Sequence, residues 1–118
     1  MNSLILIAHG SRRPASNAEV QALTDALRRR VIDRYDHVAC GFLEFAQPTI
    51  AAAIDAAVRD GHRRLTILPY FLAGGNHIMQ DVPALIDAKK AEYPHVVVEI
   101  KPHIGAAPAM IDLLAAAV

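Results

Sequence analysis

The sequence predicts an α/β fold, a four-stranded parallel sheet with helices on both faces, and three observations carry that prediction. Four short apolar runs, near residues 3–8, 37–43, 64–71 and 95–101, alternate with longer segments of helical period, the pattern of repeated βαβ units. The runs lack strict polar–apolar alternation, as do strands covered on both faces. Linkers of about two to six residues and right-handed crossovers leave few topologies for such a chain. The favoured strand order is 2-1-3-4. In that order the chain reverses direction between strands 1 and 3, so a crevice opens between the loops that follow them, at the carboxyl edge where open α/β sheets bind ligands.

The elements follow in turn. Leu4-Ile5-Leu6-Ile7-Ala8 is the first strand. Ser16 with Glu19 three residues later reads as a capping box that starts the first helix, with Val20, Leu23, Leu27 and Val31 on one apolar stripe and Arg28, Arg29, Arg30 and Asp33 on a solvated face. The second strand contains Cys40. The second helix opens with Pro48 near its first turn, runs through Ile50, Ala53, Ile54, Ala57 and Val58, and stops at Gly61. The third strand is Leu65 to Leu72. A third helix begins between Asn76 and Asp81, tolerates Pro83 in an early turn, buries Leu85 and Ile86, and ends before Pro94. The last helix runs from about Ala107 through Met110, Leu113 and Leu114 to the C-terminus.

At 118 residues the chain predicts one domain, residues 1–118, with a single core. Twelve basic and twelve acidic residues give a net charge of 0, so no global field steers the protein toward nucleic acid or an anionic membrane. The lone Cys40 cannot form an internal disulfide and reads as a buried structural thiol suited to a reducing compartment. No apolar stretch approaches the ~18 residues of a membrane span, and Met1-Asn2-Ser3 lacks the charge of a secretion signal. The expectation is a cytoplasmic protein with neither nucleic acid nor membrane as partner.

Chemistry concentrates where strands end. His9 follows the first strand in His9-Gly10-Ser11-Arg12, and His77 follows the third in Ala73-Gly74-Gly75-Asn76-His77. Two imidazoles suit cobalt, nickel, iron, copper or zinc and leave coordination positions open, unlike the four closed ligands of structural zinc. Each histidine is read as a metal ligand or as a surface or capped residue. Glu44, at the end of the second strand, points at the same rim, either as a carboxylate beside the imidazoles or as an exposed group ahead of the next helix. Gly74-Gly75 lets backbone approach a flat or anionic ligand ahead of a helix start. Arg12 and Arg13 can hold carboxylates or stay solvated. His37, His62 and His95 fall on the opposite edge as expected surface residues, and His103 lies on the crevice edge. Neither a P-loop nor a dinucleotide fingerprint is present.

Ala8-His9-Gly10-Ser11-Arg12, Phe42-Leu43-Glu44-Phe45-Ala46-Gln47-Pro48-Thr49-Ile50, Leu68 through His77 with Asp81-Val82-Pro83, and Ile104-Gly105 stand in an order and spacing that resemble the sirohydrochlorin chelatase family. The likeness covers nearly the whole chain and looks like the small single-lobe form associated with cobalamin biosynthesis. It implies a chelatase-like three-layer sandwich and a homodimer whose lobes enclose a tetrapyrrole. It also implies ATP-independent insertion of Co²⁺, with Fe²⁺ and Ni²⁺ as further candidates, the metal being substrate and no cofactor being permanently bound. By the same resemblance His9 and His77 hold the metal, His9 is a candidate proton acceptor, and Glu44, Leu72, Ala73, Gly74, Gly75 and Asn76 face the substrate, whose carboxylates suit Arg12. A rival reading is a noncatalytic metal-binding or metal-delivery protein using the same histidine pair. Histidine phosphatases also place His-Gly after a first strand, but with arginine before it, where this chain has Ala8.

Overall fold

A computed structural model describes the chain over residues 1–118, apart from the side chains of residues 76–79. Four strands, β1 (Asn2–Ala8), β2 (His37–Phe42), β3 (Arg64–Pro69) and β4 (Val97–Ile100), alternate with α1 (Pro14–Arg30), α2 (Ile50–Arg59), α3 (Asn76–Glu92) and α4 (Ala109–Ala116), with a 3-10 turn at Ile104–Ala106 before the last helix. All strand pairs are parallel in the expected order β2-β1-β3-β4.

The central strand explains the layers. Every residue of β1 after Asn2 is buried, so its two faces feed two cores. Ile5 and Ile7 meet Ile50 and Ile54 of α2, Leu65 and Ile67 of β3, and Ile86 of α3. Leu6 and Ala8, with Cys40 and Phe42, face Val20 of α1, while Leu4 and Val38 meet Leu27 and Val31. Each fully buried isoleucine or leucine contributes about 1.5–3 kcal/mol. Between α2 and α3, Asp55 Oδ1 accepts hydrogen bonds from Lys89 Nζ at 2.8 Å and from the Tyr93 hydroxyl at 2.7 Å. Burial alone would raise the Asp55 carboxyl, but those two donors outweigh it and hold it below its ordinary value. The same hydrogen bond pushes the Tyr93 phenol up to about 12.

Several local expectations change. Helix α1 starts at Pro14, with Arg13 as N-cap and no side-chain cap, because the fixed φ of proline suits the first helical position. Ser16 therefore lies inside the helix and forms no capping box. The inward stripe passes through Thr24, buried with its hydroxyl donating to the Val20 carbonyl at 2.8 Å, and leaves Leu23 42% exposed. Pro48 precedes α2 rather than opening it, since Thr49 is the N-cap and its side chain accepts from the Ala52 amide. Strand β4 is not covered on both faces. It sits at the sheet edge, and Val97 is 58% exposed. Cys40 is the buried free thiol expected, and burial pushes it up from its ordinary value.

At the amino edge His62 is buried, not a surface residue. The turn at Gly61 brings its ring onto that of His37, with centroids 5.1 Å apart and planes at 28°. His37 Nδ1 lies 2.7 Å from Ser3 Oγ. Burial, then His62, then Arg28 depress the His37 imidazole below its ordinary value, against the opposing charge of Asp60. The unfolded chain thus takes up that proton more readily than the folded one, so stability falls as pH drops through the ordinary range near 6.5. The free energy of urea unfolding should decline less steeply between about pH 7.5 and 5 in His37→Gln than in the wild type. Identical slopes would remove His37 from the account.

Candidate metal and substrate site

The site begins as an extension of the β1–β2 pairing. Beyond the strands, the Leu43 amide donates to the Ala8 carbonyl at 2.9 Å and the Glu44 amide to the His9 carbonyl at 3.0 Å. His9 and Glu44 therefore leave the sheet edge in step. Gly10 then turns with φ +89°, against the backbone of Glu44, where a Cβ would stand 1.7 Å from the carbonyl oxygen. That close approach brings the two loops together. His9 Nδ1 lies 3.9 Å from Glu44 Oε1, both side chains 52% exposed. The separation exceeds a direct hydrogen bond and leaves the carboxylate beside an open imidazole.

The third loop meets the same place. Tyr70, Phe71 and Leu72 leave the sheet where β3 ends, and the Tyr70 amide donates to the Ile7 carbonyl at 2.7 Å. Phe71 is buried edge-on against the His9 ring, with centroids 5.7 Å apart at 77°. Leu72 is 75% exposed, and Ala73, Gly74 and Gly75 are exposed. Gly75 caps α3 with no side-chain hydrogen bond, so this helix start presents its positive end to the rim. Asn76 and His77 are the first two residues of α3. Their side chains lie outside the described residues, so the expected pairing of His9 with His77 is not among the observed contacts. Among the described residues no cluster of three or more His, Cys, Asp or Glu side chains is positioned to hold a metal ion.

Asn17 and the side chain of Phe45 were given no role by sequence reasoning, whereas Arg12 and His103 were expected at this edge. The Asn17 side chain brackets Ser11, its Oδ1 accepting from the Ser11 amide at 2.9 Å and its Nδ2 donating to the Ser11 carbonyl at 2.8 Å. The Arg12 guanidinium lies 4.9 Å over the Phe45 ring, a cation–π contact that joins the first and second loops. Phe45 itself has φ 65° and is 54% exposed. A large aromatic next to Glu44 was the available signal for it. His103 is half-buried and lines an apolar cavity of about 340 Å³ with Phe71, Pro69 and Val82. Gly10 is the most constrained position, since a side chain there meets both backbone and the left-handed region. Gly10→Ala should therefore cost at least about 2 kcal/mol, read by urea unfolding, and a variant as stable as the wild type would refute the close-approach argument.

The chain matches the CbiX family over residues 3–118. It is 36% identical over 92 residues to the sirohydrochlorin cobaltochelatase of Methanococcus aeolicus, a match that takes in 78% of this chain and 63% of that protein. The chain spans about three fifths of the length of such curated relatives. Among solved structures, a protein assigned to cobalamin biosynthesis as a CbiX protein, from Marinobacter aquaeolei VT8, superposes with a TM-score of 0.82 at 26% identity, covering 99% of this chain and 93% of that one. The sirohydrochlorin chelatase SirB from Bacillus subtilis subspecies spizizenii, in complex with cobalt, superposes at 0.84 with 22% identity, over 98% of this chain and 48% of that one. This second likeness speaks for the fold alone. With the match running from residue 3 to residue 118, this chain belongs to the CbiX family.

Proposed function

We propose that this chain is a chelatase that inserts a divalent metal, Co²⁺ first and Fe²⁺ or Ni²⁺ as further candidates, into sirohydrochlorin or a close relative. The observation that carries the reading is the His9–Glu44 pair, held 3.9 Å apart at the sheet's switch point and open to solvent. Membership of the CbiX family and the naming of its relatives as sirohydrochlorin cobaltochelatases support the substrate class.

Insertion requires a metal held loosely enough to leave and acceptors for the two pyrrole N–H protons that depart as it enters. His9 serves the first need through an open imidazole. With Nδ1 turned toward Glu44, Nε2 is the ring atom left to hold the metal. When the metal moves to the macrocycle, that nitrogen is free to take a proton. Glu44 then stabilises the imidazolium that forms and is itself the second acceptor on this rim. His77, at the second position of α3, is the proposed second holder of the metal. Leu72, Ala73, Gly74, Gly75 and Asn76 form the proposed flat, substrate-facing wall, and Arg12 the partner for a peripheral carboxylate, its guanidinium plane supported by Phe45. The metal is substrate in this scheme. We further infer a single lobe over residues 1–118, a cytoplasmic setting and a homodimer, because one open rim covers only one side of a macrocycle. No described helix is long and apolar enough to cross a membrane.

The decisive measurement is the absorbance of sirohydrochlorin mixed with Co²⁺, Fe²⁺ or Ni²⁺, with and without the protein. Insertion should accelerate, and the acceleration should fall about a hundredfold or more in His9→Ala and in His77→Ala, with a smaller loss in Glu44→Gln. Equal rates with and without protein would favour metal delivery without catalysis, whereas normal turnover by the variants would sink the site assignment.

A further inference from the structure

Phe45 is unusual in two respects. Among the described residues it is the one non-glycine with a positive φ, 65°, a left-handed backbone that is strained for a bulky side chain, and its ring is 54% exposed. The neighbours dictate the turn. The Glu44 amide donates to the His9 carbonyl at 3.0 Å, the Glu44 carbonyl packs against Gly10, and the Phe42 amide donates to the Pro48 carbonyl at 2.8 Å, so the chain must reverse in the few residues between. Glycine or asparagine meets that demand with little strain. Phenylalanine meets it with strained backbone beneath a ring that stays in water, which stabilises nothing. Strain at the rim of a site points to a function for the side chain.

The ring holds Arg12. With the guanidinium 4.9 Å above its centroid, the ring occupies one face of the cation and restricts a long side chain, yet leaves the N–H edges open. Among the described residues Arg12 forms no ion pair with a carboxylate of this chain. A cation fixed in place with its donors open is pre-organised for a carboxylate from elsewhere. Arg12 and Phe45 line a groove of about 610 Å³ that extends from the first and second loops along α1, where Asn17, Gln21 and Gln47 add amide groups. Asp25 is the one acid on that lining, and its Oδ1 lies 3.3 Å from Arg28 Nη1, which offsets its charge.

We infer that this groove seats one carboxylate-bearing arm of the macrocycle, outside the footprint of the ring itself, with Arg12 binding the carboxylate and Phe45 acting as the positioning residue that holds Arg12. The inference rests on the proposed chelatase site and deepens it. A flat macrocycle lying on a flat wall can slide. One arm anchored beside the rim holds the centre of the ring at a set distance from His9, so the reacting groups meet in a fixed arrangement. The strain stored at Phe45 is then the cost of a rigid anchor next to Glu44.

Titration of metal-free sirohydrochlorin, followed by its absorbance, tests this without turnover. Arg12→Gln should weaken binding about tenfold and Phe45→Ala about fivefold. The double variant should bind no more weakly than Arg12→Gln, because Phe45 acts through the guanidinium. Phe45→Gly separates ring from backbone: it should unfold at higher urea than Phe45→Ala, since glycine accepts the left-handed turn, yet bind as weakly. In Co²⁺ insertion the same losses should appear in KM for the macrocycle. Single effects that multiply in the double variant, wild-type affinity in either Phe45 variant, or a Phe45→Gly protein no more stable than Phe45→Ala each overturns the inference. Wild-type rates read in parallel separate the failures. Acceleration with Phe45 dispensable rejects the groove and leaves the chelatase reading, whereas binding that depends on Arg12 and Phe45 without acceleration rejects the chelatase reading and leaves the groove.

Discussion

The site depends on the two backbone hydrogen bonds that continue the β1–β2 ladder past the ends of the strands. Side chains at the end of a strand would otherwise diverge as their loops peel away toward different helices. Here the ladder carries the chain one residue further on each side, and the turn at Gly10 then folds against the Glu44 carbonyl. The imidazole of His9 and the carboxylate of Glu44 are neighbours because their backbones are paired, not because the two side chains attract each other strongly. At 3.9 Å and half exposed, the contact itself contributes little to stability. That division suits the cation exchange proposed for this rim: the backbone scaffold is fixed, while the His9 and Glu44 side chains stay half exposed.

The opposite edge of the sheet is built on other terms. There His37 and His62 stack at the amino ends of β2 and β3 and Ser3 of β1 bonds His37, the His62 imidazole being buried with its Nδ1 lacking a hydrogen-bond partner. On the far face the Asp55–Lys89–Tyr93 group joins α2 to α3. The polar groups of these two clusters are bonded to one another or buried, whereas His9 and Glu44 at the carboxyl edge stay half exposed. The asymmetry is the one that open α/β sheets show between the edge that stabilises and the edge that binds.

Much of this was legible in the sequence, for identifiable reasons. Strand order follows from short linkers and handedness, and His9, Glu44 and the Gly74-Gly75 loop announce themselves as polar or flexible residues directly after apolar runs. What was not legible depends on partners distant in sequence. The burial of His62 requires His37 to be paired beside it, which no local pattern reveals. Ser16 and Glu19 have the spacing of a capping box, yet Pro14 claims the helix start. Thr24 replaces Leu23 on the inward stripe because its hydroxyl is satisfied within the helix by the Val20 carbonyl, so a polar residue costs little there. The roles of Asn17, Phe45 and Phe71 arise only once three loops converge.

Asn17 belongs to the first turns of α1, yet both ends of its amide grip the backbone of Ser11 in the loop that carries His9 and Arg12. The loop is thereby part of the same cooperative folding unit as the helix. Its order is not a local property that a few exposed residues can lose independently. The Ser11 amide should exchange with deuterium only through openings that also unravel the start of α1, so the protection of one loop amide reports the stability of a helix. If the rim takes the macrocycle proposed for it, the adaptability has to come from the third loop, between Leu72 and Gly75, while the first loop keeps its shape.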